Sequence, residues 1–279
     1  MTEKWAMLID VDKCSNCRNC FLACKDEYVD NRFPGYSEPQ PLHGHNWIDI
    51  LVKERGDTPH VDVVNVPVMC MQCDDAPCMK VGGDGAVYKR DDGIVMIDPV
   101  KAAGRKDIVE SCPYGAIHWN EDLSLPQKWS FDAHLLDQGW KQPRATQACP
   151  TGALNAVKIS QTELEARVSS GGYKPMKPDL GTAPRVFYKN LDRFTKSFVA
   201  ITVLKENNGV VDAFAGAAVT LQLASGEVFT SSTDEFGDCR IDGIAPDSDY
   251  SLTVDAGENG SWSGSGTLGE SRWLGEILL

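Results

Sequence analysis

Nine of the ten cysteines fall into four groups whose spacing suits cubane iron–sulfur ligation. The first is the run Cys14-x2-Cys17-x2-Cys20-x3-Cys24, the second Cys70-x2-Cys73-x4-Cys78. Two single cysteines follow, each before a proline: Cys112-Pro-Tyr-Gly-Ala116 and Cys149-Pro-Thr-Gly-Ala153. A [4Fe–4S] cube offers four irons, and each takes one thiolate. A tight loop with short spacers can curl around three corners, and the fourth corner takes a remote cysteine. Cys14, Cys17 and Cys20 therefore want one Cys-Pro cysteine, and Cys70, Cys73 and Cys78 want the other. That makes eight ligands for two clusters, with Cys24 left over. Spacing leaves two pairings open, the nested one and the one in which Cys112 and Cys149 exchange partners.

Other uses of these residues are less well supported by the pattern. Two structural zinc sites would use the same eight thiolates, but zinc ribbons favour paired CxxC knuckles over a triplet plus a distant Cys-Pro. Disulfides belong mainly to secreted chains. The opening residues, Met1-Thr-Glu-Lys-Trp5, carry neither a charged-then-apolar signal region nor a twin arginine, so a cytoplasmic location is expected. His43 and His45 form an HxH in a loop-rich stretch and read as an exposed or packed pair. His118 and His134 have no ligand partner at useful spacing. The carboxylates show no motif that would mark a general acid–base pair, and there is no phosphate-binding loop or GxGxxG fingerprint, so the expectation is a non-catalytic chain.

The elements that would position the cysteines are short. Strand-like runs lead into them at Ala6–Val11 and Val63–Val68, and Gly85–Asp98 alternates around Asp91-Asp92-Gly93 like a β-hairpin. Phe21–Val29, Arg105–Ser111 and Thr162–Val168 read as short helices. Residues 25–66 form an insertion rich in Pro, His and aromatics, and residues 160–197 a polar connection. Neither shows the periodic apolar pattern of a compact unit, and the connection is expected to wrap another surface. From residue 198 the pattern is pure β. Val199–Leu204, Ala217–Leu223, Glu227–Ser231, Cys239–Ile241 and Tyr250–Val254 are separated by Gly, Asn and Asp turns, which suggests a small antiparallel sandwich. Cys239 lies outside every ligand spacing and reads as a buried apolar filler.

The 279 residues suffice for one large domain or two ordinary ones, and a formal charge of −13 argues against nucleic-acid binding. No apolar run approaches the length of a membrane span, so no direct membrane insertion is expected.

With these residues in view, the chain resembles the iron–sulfur subunits of molybdopterin oxidoreductases of the dimethyl sulfoxide reductase type. The likeness is carried by Cys14–Cys24, Cys70–Cys78, Gly93–Asp98, Cys112–Ile117 and Cys149–Ala153. More narrowly, Phe33-Pro-Gly-Tyr36, Ala133–Asp137 and Leu180–Leu191 resemble the small subunits of the pyrogallol–phloroglucinol transhydroxylase and resorcinol-type hydroxylases. The resemblance implies an α+β domain of tandem ferredoxin-like 4Fe-4S units over residues 1–197. Residues 198–279 would follow as a small all-β transthyretin-like or carboxypeptidase-regulatory-like sandwich. It favours nested ligation: Cys14, Cys17, Cys20 and Cys149 for one cluster, Cys70, Cys73, Cys78 and Cys112 for the other.

Four-cluster members of that family would place further cysteines where this chain has Gly82, Ala102, Arg105 and Ile108, and again at Trp129, Asp132 and Ala145. Cys24 is thus the remnant of a lost site. The resemblance implies a large catalytic partner, in a heterodimer or higher assembly, carrying molybdenum or tungsten on two molybdopterin guanine dinucleotides. That partner would hydroxylate or transhydroxylate polyhydroxylated benzenes in anaerobic metabolism. Two other readings stand beside it: an electron-transfer subunit of a different molybdopterin oxidoreductase, and a non-redox module whose clusters serve assembly.

Overall fold

A computed structural model describes residues 2–279. Its contacts divide the chain into two units, Met1–Leu51 with Asn65–Leu191, and Val52–Val64 with Asp192–Leu279. In chain order the first carries β1 (Lys4–Asp10), α1 (Asn19–Tyr28), β2 (Ile48–Arg55), β3 (Asp62–Met69), α2 (Pro77–Val81), β4 (Val87–Lys89), β5 (Val95–Ile97) and α3 (Asp107–Glu110). Then follow β6 (His118–Asn120), β7 (Leu125–Gln127), α4 (Ala133–Asp137), α5 (Arg144–Gln147), β8 (Leu154–Ile159), α6 (Gln161–Gly171) and β9 (Val186–Lys189). The tip of the β2–β3 hairpin is counted with the second unit.

The first unit is organised by a three-stranded sheet in which β1 lies between β8, antiparallel, and β9, parallel. Three hairpins, β2–β3, β4–β5 and β6–β7, complete its strands. Helix α6 shows why the local sequence folds as it does. Ser160 caps it by accepting from the Glu163 N–H at 3.2 Å, and Gly172 ends it in the left-handed region at φ 68°. Leu164 and Val168 then lie on one face, four residues apart, and pack against Ala6, Leu8, Ile159 and Phe187.

The connection expected at residues 160–197 carries its expected helix, Thr162–Val168, within α6, and a strand, β9, that its sequence did not announce. That stretch supplies α6 and β9, and residues 182–185 bond the main chain beside the second cysteine triplet. Ala183 and Thr182 accept from Asp74 and Asp75, and Arg185 donates to Met71. Lys and Pro neighbours mask the four-residue strand, whose register on β1 supplies what its own sequence lacks. The insertion likewise closes on its own unit. Gln127 donates to the carbonyls of Glu38 and Pro39, and Trp47 and Ile48 are fully buried.

The second unit holds α7 (Asp192–Thr195), β10 (Ser197–Asn207), β11 (Val210–Ala213), β12 (Ala218–Leu223), β13 (Val228–Ser232), β14 (Asp238–Ile244), β15 (Ser248–Asp255), β16 (Ser261–Leu268) and β17 (Arg272–Leu278). They form two four-stranded sheets: β10 with β11, β14 and β17, and β13-β12-β15-β16. Alternation places Val199, Ile201 and Val203 of β10 in one core with Val219, Leu221 and Leu223 of β12, and Cys239 is among the buried residues there.

The opposite face of β10 presents Phe198, whose ring lies 3.9 Å from the Arg240 guanidinium and 5.1 Å from that of Arg55. Asp62 binds both arginines, at 3.0 Å and 2.7 Å, and Arg193 at 2.7 Å. Burial alone would raise its carboxyl, but the bonds from Arg55 and Arg240 and the charge of Arg193 outweigh this and hold it at about 2. A carboxylate held below its unfolded value stabilises the fold fully above that value and loses the effect as pH falls through the folded one. Asp62→Asn is therefore expected to lower the unfolding free energy by about 2 kcal/mol at neutral pH. The difference from wild type should shrink between about pH 4 and pH 2. Denaturant unfolding against pH measures this, and a difference independent of pH would contradict it.

Candidate functional site

The first two cysteines of each triplet lie in a loop that follows a strand, and the third lies on the helix after it, Cys20 on α1 and Cys78 on α2. Between the first two cysteines of each loop one residue adopts a left-handed backbone, Asn16 at φ 56° and Gln72 at φ 52°. Asn tolerates that region, whereas Gln is strained there by about 1–2 kcal/mol. The side-chain oxygen of Gln72 offsets the strain by accepting the Val95 N–H at 2.8 Å, which ties the loop to β5. Asn65 holds the other loop through the Cys14 carbonyl at 3.3 Å.

The two Cys-Pro cysteines sit in matching turns. Gly115 donates back to the Cys112 carbonyl at 3.1 Å, and Gly152 to that of Cys149 at 3.4 Å. Both glycines are left-handed, at φ 64° and 65°. This curl turns main-chain N–H groups towards the sulfur. The N–H groups of Thr151, Ala153 and Leu154 serve Cys149, and those of Tyr114 and Ala116 serve Cys112. Burial opposes ionisation of Cys149, yet these donors and the Thr151 hydroxyl leave its thiol below the ordinary value.

The structure gathers the eight cysteines in two sets. Burial raises the Cys14 thiol, and the charges of Cys149 and Cys17 add to it. Cys20 is pushed up to about 11 by burial, with Cys14, Cys149 and Cys17 acting on it as well. In the other set burial comes first again: Cys73 is pushed up to about 11 and Cys78 to about 12, with repulsion from Cys70 and Cys112. Four mutually repelling sulfurs in a partly dry site suit a group that supplies positive charge between them, as the irons of a cubane do. Among the described residues no three His, Cys, Asp or Glu side chains are arranged to hold a single metal ion.

Cys24 is buried outside these sets, facing the buried Asp132. The Asp132 carboxylate accepts from Trp129 Nε1 at 2.7 Å, Tyr28 Oη at 2.9 Å and the Arg144 N–H at 2.8 Å. Burial nevertheless raises its pKa. Trp129 is fully buried and lies tilted against Phe131, with ring centroids 4.8 Å apart, and Ala145 is buried beside Arg144. Around the other set of replaced positions, Ala102 and Ile108 are fully buried. A methyl group on Gly82 would stand 2.7 Å from Val87 Cγ2, and Arg105 bonds the Val81 carbonyl at 3.0 Å. Protein atoms fill both places.

The histidines take structural parts. His45 bonds the Trp119 carbonyl at 2.9 Å and stacks on His118, whereas His43 is exposed. His134 bonds Glu27 at 2.8 Å and stacks on Phe33. Two lysines at the second set escaped the sequence reading. Lys89 donates to the carbonyls of Gln72 and Cys73, and Lys128 is buried near Cys78 and Cys112. Only the fold brings them there, since neither stands within a cysteine motif.

Gly82→Ala is expected to destabilise by about 1–3 kcal/mol through overpacking against Val87. Gly152→Ala has open space for its methyl and should cost about 1 kcal/mol through φ alone. Denaturation midpoints test both. A Gly82→Ala chain as stable as wild type would mean that the space beside α2 is open.

A family described as "4Fe-4S dicluster domain" matches residues 61–159. The chain is 41% identical to the pyrogallol hydroxytransferase small subunit of Pelobacter acidigallici, over 91% of each chain. It is 38% identical to a selenate reductase subunit of Mesobacillus selenatarsenatis, over 66% of this chain and 71% of that one. With a tetrathionate reductase subunit of Salmonella typhimurium the identity is 29%, over 68% and 74%. No helix among the described residues is long and apolar enough to cross a membrane. A likeness of this extent, added to a cubane-type cysteine pattern, shows that the chain belongs to the iron–sulfur electron-transfer subunits of molybdopterin oxidoreductases of the dimethyl sulfoxide reductase type.

Proposed function

We propose that the chain holds two [4Fe–4S] clusters, one on Cys14, Cys17, Cys20 and Cys149, the other on Cys70, Cys73, Cys78 and Cys112. The observation that carries this reading is the sorting of the thiols. Cys149 acts on Cys14 and Cys20, and Cys112 acts on Cys73 and Cys78. The exchanged pairing would require the opposite. The filled space at Gly82 and around Asp132 supports a count of two, because a further cubane would have to displace Val87 on one side and Trp129 on the other. When bound, such clusters supply reversible one-electron transfer. The chain's own residues hold the sulfurs, aim main-chain donors at them and limit access of water.

In this reading the partner is a large subunit with molybdenum or tungsten on two pterin guanine dinucleotides, in a heterodimer or larger cytoplasmic assembly. It hydroxylates or transhydroxylates polyhydroxylated benzenes, as the 41% likeness to the hydroxytransferase small subunit suggests. The C-terminal two-sheet unit is taken as the transthyretin-like or carboxypeptidase-regulatory-like appendage of those subunits. Filled cluster positions interrupt an electron path. A transhydroxylation, which has no net electron flow, tolerates such a gap. The likeness to selenate and tetrathionate reductase subunits favours a second reading, a redox subunit of another molybdopterin oxidoreductase.

Anaerobic purification of the complex, with iron, sulfide, zinc and molybdenum analysis, tests the proposal. About eight irons per chain are expected, and about twelve would overturn the count. Cys149→Ala should lose about four irons, whereas Cys24→Ala should lose none. Reduction of both clusters by an aromatic substrate within one turnover would refute the idle-wire role.

A further inference from the structure

The two sets of thiols differ in their surroundings. Cys70, Cys73 and Cys78 are buried, whereas Cys17 is exposed and Cys14 and Cys149 are partly so. In the wall of the drier set stands Lys128, which is 4% exposed. Its ammonium donates to the main-chain carbonyls of Val95 at 2.5 Å and Trp129 at 3.2 Å. Among the described residues no carboxylate forms an ion pair with it. A buried ammonium bonded only to carbonyls is costly unless an anion offsets it. Its charge acts on Cys78 and Cys112, favouring their thiolates against burial and mutual repulsion, and thiolates are what a bound cluster would supply.

The second lysine of this set is different. Lys89 also bonds two carbonyls of the loop and its charge acts on Cys73, but it is ion-paired with Asp74 at 2.8 Å. At the other set, the thiols of Cys14 and Cys20 respond to burial, to main-chain N–H groups and to one another. Cys149 is served by N–H donors and the Thr151 hydroxyl. Main-chain dipoles serve both sets, at Cys149 and at Cys112, and only the second set has a buried, unpaired lysine beside it.

We propose that Lys128 is the charge-compensating residue of the cluster held by Cys70, Cys73, Cys78 and Cys112. It raises that cluster's reduction potential above that of the other cluster, so that an electron entering the chain comes to rest there. This inference rests on the two-cluster reading above. One electron added to a cubane with four thiolates takes its net charge from about −2 to about −3, and no bond forms or breaks. A fixed positive charge in a low-dielectric wall favours the more negative state, because the interaction is barely screened. Val95 gives the ammonium a fixed seat, since its N–H is held by Gln72 of the cysteine loop and its carbonyl by Lys128. Lys128 is therefore a positioning residue for charge rather than a ligand.

The test uses the anaerobically purified complex of the full chain with its partner, titrated with dithionite and followed by electron paramagnetic resonance. Lys128→Gln keeps donors for the two carbonyls and removes the charge. Lys128→Arg keeps the charge. The expected result is a fall of one cluster's midpoint by a factor of ten or more in its one-electron equilibrium, about 59 mV, with the other signal unmoved. Lys128→Arg should retain most of the wild-type value, with iron staying near eight per chain in both variants. Equal shifts of both signals, or none, would overturn the proposal. So would loss of about four irons in Lys128→Gln, since the residue would then hold the site together rather than tune it. A wild-type chain without about eight irons would instead sink the two-cluster reading itself.

Discussion

Crowding four thiols into one dry pocket is unfavourable twice over, through lost hydration and through mutual repulsion. The first unit is organised around that constraint. Burial and the neighbouring sulfurs push Cys78 up to about 12, a position that only a strong local source of positive charge can reverse. Every device near the cysteines acts in that sense. Left-handed Asn16 and Gln72 curl the loops, the two Cys-Pro turns aim N–H groups at sulfur, and Lys128 stands in the wall of one set. The short helices and hairpins are legs for these devices more than a core in their own right.

The two places where related chains would carry more cysteines have been filled by opposite means. Beside α2 the solution is apolar and tight: Gly82 admits Val87, and Ala102 and Ile108 close the rest. Beside α1 it is polar, with a carboxylate where no water reaches. Asp132 is tolerable there because Trp129, Tyr28 and Arg144 each give it a hydrogen bond, and a buried carboxylate with its lone pairs satisfied rigidifies its surroundings. The second solution is also strained. Phe131 and Asp132 are consecutive left-handed residues, and Phe131 is kept in place by the rings of Trp129 and Trp5.

What the sequence disclosed followed from strong local signals. Cysteine spacing marked the ligand candidates, and alternation marked β1, β3, the β4–β5 hairpin and the main strands of the second unit. Other elements had no such signal. β16 reads Ser-Trp-Ser-Gly-Ser-Gly-Thr-Leu and is a strand because β15 pairs with it along its whole length. β9 is four residues among lysines and prolines, and β11 is exposed throughout. Lys128 and Arg185 are buried cations that no motif announces, since Val95 lies 33 positions from the first and Asp74 lies 111 from the second. Spacing also could not choose between the two pairings of the remote cysteines, because that choice depends on where β8 returns to β1.

The return of the chain at residues 182–185 to the loop at residues 71–75 has a consequence for biosynthesis. The second cysteine loop emerges from the ribosome more than a hundred residues before the segment that backs it. Cys112 and Cys149 also arrive late, so the eight ligands are not all present until over half of the chain exists. In the interval the early thiols stand open to oxygen and to adventitious metal. Neither proposed ligand set can be complete before its Cys-Pro cysteine has been made, and the backing of the second loop by residues 182–185 comes later still.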